Sequence, residues 1–501
     1  MSRDASTMKG DLTLDVDAVV VGAGAGGAAA AFALAEKGLR VAVLEEGHRW
    51  QPHQFPARYG WALNHIYADK GARIAQSKSI FPMPAGRGVG GSTLINSAIC
   101  YRAPDHVLER WSRDLGLDAL APSKLAPLYE LVEATIGVRP MTEFHARGNN
   151  LFVKRGAEKL GLDGAFIWRN APGCVGCGVC HLGCPSGGKG SVDRNFVPMA
   201  EAHGAEIFSD VRVAELLVRR GRVRGVEATI SDVETDEQVG RLRVNAERVI
   251  LSAGAIVTPT ILQKQGLANR SGQVGRNLSV HPAVGTFGFV PEDINSWDGV
   301  PQAYAVFLDR KAGILLQAYN ASPEIFFSSM PWSGADGMRK LKRLKNLALC
   351  GAIVSDGPNG QVETGLLGRP KITYSLGDDE RKKLLRALRA IVRILFAAGA
   401  DEVYSGVGAG DELSKSEPEA LAQLGDDVDE TSMSLIAAHP MGTCRMGVSR
   451  ATSVARPDGR LHDVEGLYVA DASLMPTSLG VNPQVTVMAL GLLVGRAAAG
   501  A

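Results

Sequence analysis

Residues 15–47 read DVDAVVVGAGAGGAAAAFALAEKGLRVAVLEEG, and the fold assignment turns on them. Ala18 to Val21 is a short apolar run of strand length. Gly22, Gly24 and Gly27 follow it as G-x-G-x-x-G. Ala28 to Lys37 reads as an Ala-rich helix that Gly38 ends, and Arg40 to Leu44 as a second strand closed by Glu45. Strand, glycine turn, helix and strand in this order make a βαβ unit that binds a dinucleotide. The glycines let the backbone approach a pyrophosphate at the helix N-terminus, where free N–H groups and the helix dipole favour negative charge. Glu45 stands where an acid meets a ribose hydroxyl, and its carboxylate would repel a 2′-phosphate. The ligand is therefore FAD or NAD rather than NADP.

The chain has 501 residues, too many for one core, so two domains are expected. Its apolar fraction of 45% and charged fraction of 21% are those of an ordinary globular protein. A net charge of +1 gives no field that would gather nucleic acid. The first residues, MSRDASTMKGDLTLD, contain no apolar segment of a secretory signal, and the run Val485 to Val494 is too short to span a bilayer. A cytoplasmic location is expected.

A second stretch, CVGCGVCHLGCP at 174–185, places Cys174, Cys177, Cys180 and Cys184 as C-x2-C-x2-C-x3-C-P, the ferredoxin spacing. Thiols packed this closely in a reducing compartment are poor disulfide material. In two-cluster ferredoxins the fourth Cys of such a run serves the other cluster, so the run offers three ligands and a conditional fourth. That would suit a [3Fe–4S] centre, or a [4Fe–4S] centre if Cys184 bends back. Zinc, or thiols with no metal, are the alternatives, although structural zinc usually takes two separated pairs. Cys100, Cys350 and Cys444 stand alone.

Four separated blocks then point to one family: the glycine turn, GRGVGGSTLINSAICYR at 86–102, AHPMGTCRMG at 438–447, and GLYVADASLMPTSLGVNPQVTVMAL at 466–490. In these blocks the chain resembles the glucose–methanol–choline (GMC) oxidoreductases over nearly its whole length. The resemblance implies an α/β fold with a discontinuous Rossmann-like FAD-binding domain, residues 14–282 and 437–501. It also implies an α+β substrate domain on an antiparallel sheet, residues 283–436. Gly90, Gly91, Ser92 and Asn96 match the loop along the FAD, Val213 the residue whose backbone meets the adenine, and Asp471 and Ala472 a second cofactor loop. His439 matches the active-site histidine, and Asn482 its partner position. Ile95 stands where some members bind flavin covalently, so noncovalent FAD is expected. Gln265 and Ala268 depart from the family's second signature.

These residues suit alcohol oxidation. FAD supplies a hydride acceptor, His439 a base with a pKa near working pH, and Asn482 a hydrogen bond to the substrate oxygen. Asn482 and Pro483 also read as a helix cap and first turn, facing the flavin with a positive dipole end. The cysteine run, followed by Lys189 and Ser191, resembles a branch with long-chain-alcohol oxidases and cholesterol-oxidase-like proteins, which points to a bulky apolar alcohol. Related sugar dehydrogenases carry a cysteine-bound cluster, through which electrons would pass to a cytochrome or quinone. An oxygen-using oxidase without a cluster and a flavin-containing lyase are the other readings.

In the middle segment, AVGTFGFV, QAYAVFL and KITYSL read as strands, and Asp378 to Ala398 as a helix ended by Gly399. Met338, Leu341, Leu344 and Leu347 recur among basic residues, with EIFFSSMPW before them. Such a stripe packs on a core more often than it lies on a membrane, and core packing is the expectation.

Overall fold

The computed structural model describes the chain except residues 1, 9, 321, 325, 327–329, 331, 409–411 and 501. The glycine turn lies at the centre of a six-stranded parallel sheet. Its order is Ser2–Arg3, Glu206–Phe208, Val41–Leu44, Ala18–Val21, Arg248–Leu251 and Leu467–Val469. The four residues of Ala18–Val21 and of Val41–Leu44 are all buried, as strands covered on both faces must be. The helix after the turn spans Ala25–Ala35, so it begins one turn earlier than expected. Gly26 and Gly27 belong to it because no side chain fits there: a Cβ on Gly26 would lie 1.8 Å from Ala470 O, and one on Gly27 2.0 Å from Gly22 O. The last helix, Gln484–Ala499, packs on this first one through Gly491 and Gly495, whose missing side chains let the backbones close up. A Cβ on Gly491 would stand 2.4 Å from Gly26 O.

A separate antiparallel sheet runs in the order Glu402–Val403, Ala283–Phe289, Leu347–Val354, Ile314–Ala318, Tyr304–Asp309 and Gly164–Phe166. Helix Asp378–Ala398 covers it and ends at Gly399, which is left-handed at φ +112°. AVGTFGFV and QAYAVFL supply strands of this sheet and the expected helix covers it, whereas the KITYSL strand, Pro370–Tyr374, pairs with Gly360–Thr364 in a separate two-stranded sheet. The surprise is Glu143–Lys159 and Gly164–Phe166. Both fall inside the first cofactor segment, 14–282, yet Phe152, Val153 and Ala157 pack into the core of the antiparallel layer, and Gly164–Phe166 pairs with Tyr304–Asp309. The chain thus enters the second layer once before residue 283. A four-stranded sheet, Val211–Arg219, Arg222–Ser231, Gln238–Asn245 and Gly10–Asp15, flanks the parallel one.

The basic stripe is not one helix. Helix Gly334–Lys342 carries Met338 and Leu341 exposed, Leu344 lies in a 3-10 turn, and Leu347 opens a buried strand. Of the preceding EIFFSSMPW, residues 325, 327–329 and 331 lie outside the described residues. No helix among the described residues is long and apolar enough to cross a membrane.

Candidate active site

The C-terminal edge of the parallel sheet gathers the predicted cofactor residues. Gly22 is left-handed at φ +102°, and a Cβ there would lie 2.4 Å from Ser252 O, so only glycine makes this turn. Gly24 caps the first helix with no side-chain bond, no acid stands in the first turn, and the nearest atom to a Cβ on Gly24 would be Gly91 Cα at 3.8 Å. Unclaimed N–H groups at a helix start are an anion cradle. Glu45 is buried beneath the turn. Its carboxylate accepts from Ala23 N (2.9 Å), Gly47 N (3.0 Å) and Gly88 N (3.2 Å). Burial pushes its pKa up to about 7 despite these donors. The loop of residues 86–96 lies across the turn: Gly90 N donates to Ala23 O (3.0 Å), and Ser92 Oγ accepts from Gly86 N (3.0 Å). Val213 sits at a bulge that breaks strand pairing before Glu215, so its backbone has a gap in the ladder beside it.

Two predicted residues use their side chains for the scaffold. Asp471 is buried and accepts from Gly254 N (2.9 Å), Thr258 Oγ1 (2.6 Å) and Ser473 N (2.8 Å). It joins the helix Gly254–Lys264 to the turn that begins at Ala472, whose carbonyl accepts from Gly442 N. Asn96 accepts from Ala98 N (3.0 Å) and donates to Gln484 Oε1 (2.9 Å). Gln484, which sequence reasoning missed, thereby ties the loop to the start of the last helix, donating also to Ile99 O (2.7 Å).

His439 and Asn482 come together, with His439 Nε2 3.3 Å from Asn482 Nδ2. The helix cap is Pro483 rather than Asn482, which leaves the Asn482 amide free for this contact. The expected Asn cap is corrected accordingly. Desolvation lowers the His439 pKa to about 4, so the ring is neutral at physiological pH. Two further residues had no assigned role: His281, whose Nδ1 lies 3.2 Å from His439 Nδ1, and Gln317, whose Nε2 lies 2.9 Å from Asn482 Oδ1. The available signals were a second His-Pro dipeptide, His281-Pro282 beside His439-Pro440, and a glutamine in the otherwise apolar strand Ile314–Ala318.

The cysteine run does not build the expected centre. Among the described residues no group of three or more His, Cys, Asp or Glu side chains could hold a metal ion. The sulfurs face different surroundings. Cys177 is exposed, whereas Cys180 is buried and accepts from the Arg169 guanidinium (3.2 Å). Cys174 and Cys184 are half-buried and accept from Gly176 N and Lys189 N, each at 3.4 Å. Neither a [3Fe–4S] or [4Fe–4S] cluster nor zinc at Cys174, Cys177, Cys180 and Cys184 is supported. The run has a mechanical part instead. The buried Lys189 ammonium donates to Leu94 O (2.7 Å), Asn96 O (3.1 Å) and Cys180 O (3.0 Å), and His181 Nδ1 meets Ile95 O (3.0 Å). The cysteine loop thus clamps residues 94–96 from behind.

Residues 18–283 match the GMC oxidoreductase N-terminal family model and residues 358–491 the C-terminal one. The chain therefore belongs to the GMC oxidoreductase family. It is 39% identical over 485 residues to an uncharacterized GMC-type oxidoreductase of Mycobacterium tuberculosis (strain ATCC 25618 / H37Rv), covering 95% of this chain and 75% of the relative. It is 30% identical to the long-chain-alcohol oxidase FAO4B of Arabidopsis thaliana, covering 94% of this chain and 65% of that one. A cholesterol oxidase of Acinetobacter baumannii is 22% identical, with 95% and 93% covered. The crystal structure of pyridoxine 4-oxidase from Mesorbium loti shares the fold with a TM-score of 0.72 at 20% identity, over 96% of this chain and 98% of that one.

Proposed function

We propose that the protein oxidises a bulky, mostly apolar alcohol to its carbonyl compound, with noncovalently bound FAD as hydride acceptor and dioxygen as final acceptor. The observation that carries this reading is the His439–Asn482 pair at 3.3 Å, placed at the start of the helix whose Gln484 holds the loop across the glycine turn. The uncapped helix at Ala25, Glu45 and the Gly90–Gly91 loop fit a dinucleotide: they supply free N–H donors, an acid at the second strand and room that a side chain would fill. Bound FAD would supply the two-electron acceptor. The protein's own groups receive the alcohol oxygen between a neutral imidazole and an amide, and orient the carbinol hydrogen. Of the two hydrogens lost by the alcohol, one leaves as hydride and one as a proton, and both end on dioxygen as hydrogen peroxide. The long-chain-alcohol oxidase and cholesterol oxidase relatives support the substrate class and the acceptor.

The test is anaerobic addition of alcohols, from short primary alcohols to long-chain alcohols and a sterol, to the purified flavoprotein. Bleaching of the flavin by the bulky alcohols, and peroxide on admission of air, are expected. A flavin that no alcohol bleaches would end this reading. His439→Ala should retain flavin and lose turnover by about a hundredfold or more.

A further inference from the structure

His439 and His281 face each other across two adjacent segments. The bridges Ser279–Met441 and Ala283–Ile436 flank the pair, so the two rings meet as a cross-strand pair. Their Nδ1 atoms are 3.2 Å apart, with the rings inclined at 76°. The other nitrogen of His281 has a different environment: Nε2 accepts from Leu479 N (3.1 Å) and Gly480 N (2.9 Å). Backbone N–H groups cannot become acceptors, so Nε2 of His281 carries no proton. Burial keeps both rings neutral, His281 well below its ordinary pKa. A neutral imidazole has one N–H, so His281 bears it on Nδ1 and donates it to His439 Nδ1. The single proton of His439 is then on Nε2, the nitrogen beside Asn482.

The amides follow the same direction. With Nδ2 of Asn482 toward His439 Nε2, two donors would oppose each other. A half-turn of the amide exchanges N and O in place. Asn482 Oδ1 then accepts from His439, and its Nδ2 donates to Gln317 Oε1. As placed, Gln302 Nε2 donates to Gln317 Oε1 (3.0 Å) and Gln317 Nε2 to Asn482 Oδ1 (2.9 Å), so the series needs the same half-turn at Gln317 and at Gln302, after which Gln317 donates to Gln302. One pair of peptide N–H groups at residues 479–480 orients five side chains in series. The backbone of His281 fits such a demanding position. It is left-handed at φ +50° although a proline follows, and its N–H, with that of Val280, is held by the buried Asp356 carboxylate. Strain of this kind persists only where surrounding bonds impose it.

We infer that His281 is a positioning residue that fixes the tautomer of His439, so that the resting site offers the alcohol oxygen an Nε2–H donor rather than a lone pair. This rests on the reading of His439 as the group that meets the alcohol. It changes the part expected from the sequence: in the resting enzyme His439 holds the oxygen by donation, and a base acting through Nε2 would require His281 to point an N–H at two others.

The test uses 15N-histidine-labelled holoprotein and the ring nitrogen shifts of His439, assigned with His439→Gln. A protonated Nε2 and an unprotonated Nδ1 are expected, and the reverse would overturn the inference whether or not alcohols are oxidised. His281→Gln keeps one acceptor for residues 479–480 and one donor for His439, so it should retain turnover within a few-fold. His281→Met keeps bulk but not the chain. It should lose about ten- to a hundredfold in kcat at unchanged flavin content. Equal losses in the two variants would also overturn it. Flavin bleaching by alcohol is read separately, so failure of the functional reading and failure of the tautomer assignment are distinguishable.

Discussion

At the scale of single residues, two buried titratable groups make opposite demands on pH. Glu45 keeps its proton to about pH 7 in the fold but only to 4.5 when exposed. The folded apoprotein therefore binds this proton more tightly than the unfolded chain does, and it loses stability as pH rises from 4.5 through about 7. The loss is on the order of 3 kcal/mol at most. Denaturant titrations of apoprotein and of Glu45→Gln across this range should diverge, the wild type losing stability relative to the variant as pH rises. His439 works in the other direction. Its folded pKa of about 4 is below the ordinary 6.5, so the neutral ring persists down to mildly acid pH. Turnover should be level from pH 6 to 8 and fall as pH drops toward 4. A limb near 6.5 in the kcat profile would contradict the burial of this ring. The sequence made Glu45 and His439 readable because each sits in a spaced motif. His281 offers only a His-Pro dipeptide, and its importance comes from two peptide N–H groups nearly two hundred residues away, which no local pattern encodes.

At the scale of elements, close contact between the first and last helices depends on absent side chains. Gly491→Ala would press a methyl carbon to 2.4 Å from Gly26 O, and overpacking of this kind costs about 1–3 kcal/mol. Thermal unfolding should show a clear drop in Tm for Gly491→Ala and a smaller one for Gly38→Asn, whose left-handed site has open space around it and suits Asn better than other side chains. The strands and the glycine turn were legible because period, length and turn chemistry agree there. The cysteine run was legible only as spacing. Its glycines Gly176, Gly178 and Gly183 are left-handed, at φ +74°, +74° and +92°, and the sulfurs spend their contacts on Arg169 and on backbone N–H groups. Lys189→Met removes the donor shared by Leu94 O, Asn96 O and Cys180 O, so flavin retention should fall. Cys177→Ser, at an exposed site, should leave flavin content and activity unchanged. Metal analysis of anaerobically purified protein should find well under one iron or zinc per flavin.

At the scale of the whole molecule, two cores divide the labour: one built on the parallel sheet, the other on the antiparallel sheet and helix Asp378–Ala398. The candidate site lies where segments of both meet, with His281 and His439 just outside the antiparallel layer's ends and Gln317 within it. The family blocks that bracket residues 283–436 are why a second layer was expected there. It concealed the early excursion of Glu143–Phe166, since an amphipathic helix does not state which core it will cover.

The parallel sheet closes with Leu467–Val469, and the first helix is covered by Gln484–Ala499. During synthesis, then, the first helix waits for a partner helix more than four hundred residues behind it. At roughly 5–20 residues per second that is about twenty seconds to a minute and a half. Until then the side of Ala25–Ala35 that Gly491 and Gly495 come to meet has no permanent cover, which makes the nascent chain a natural client for whatever shields apolar surface at the ribosome.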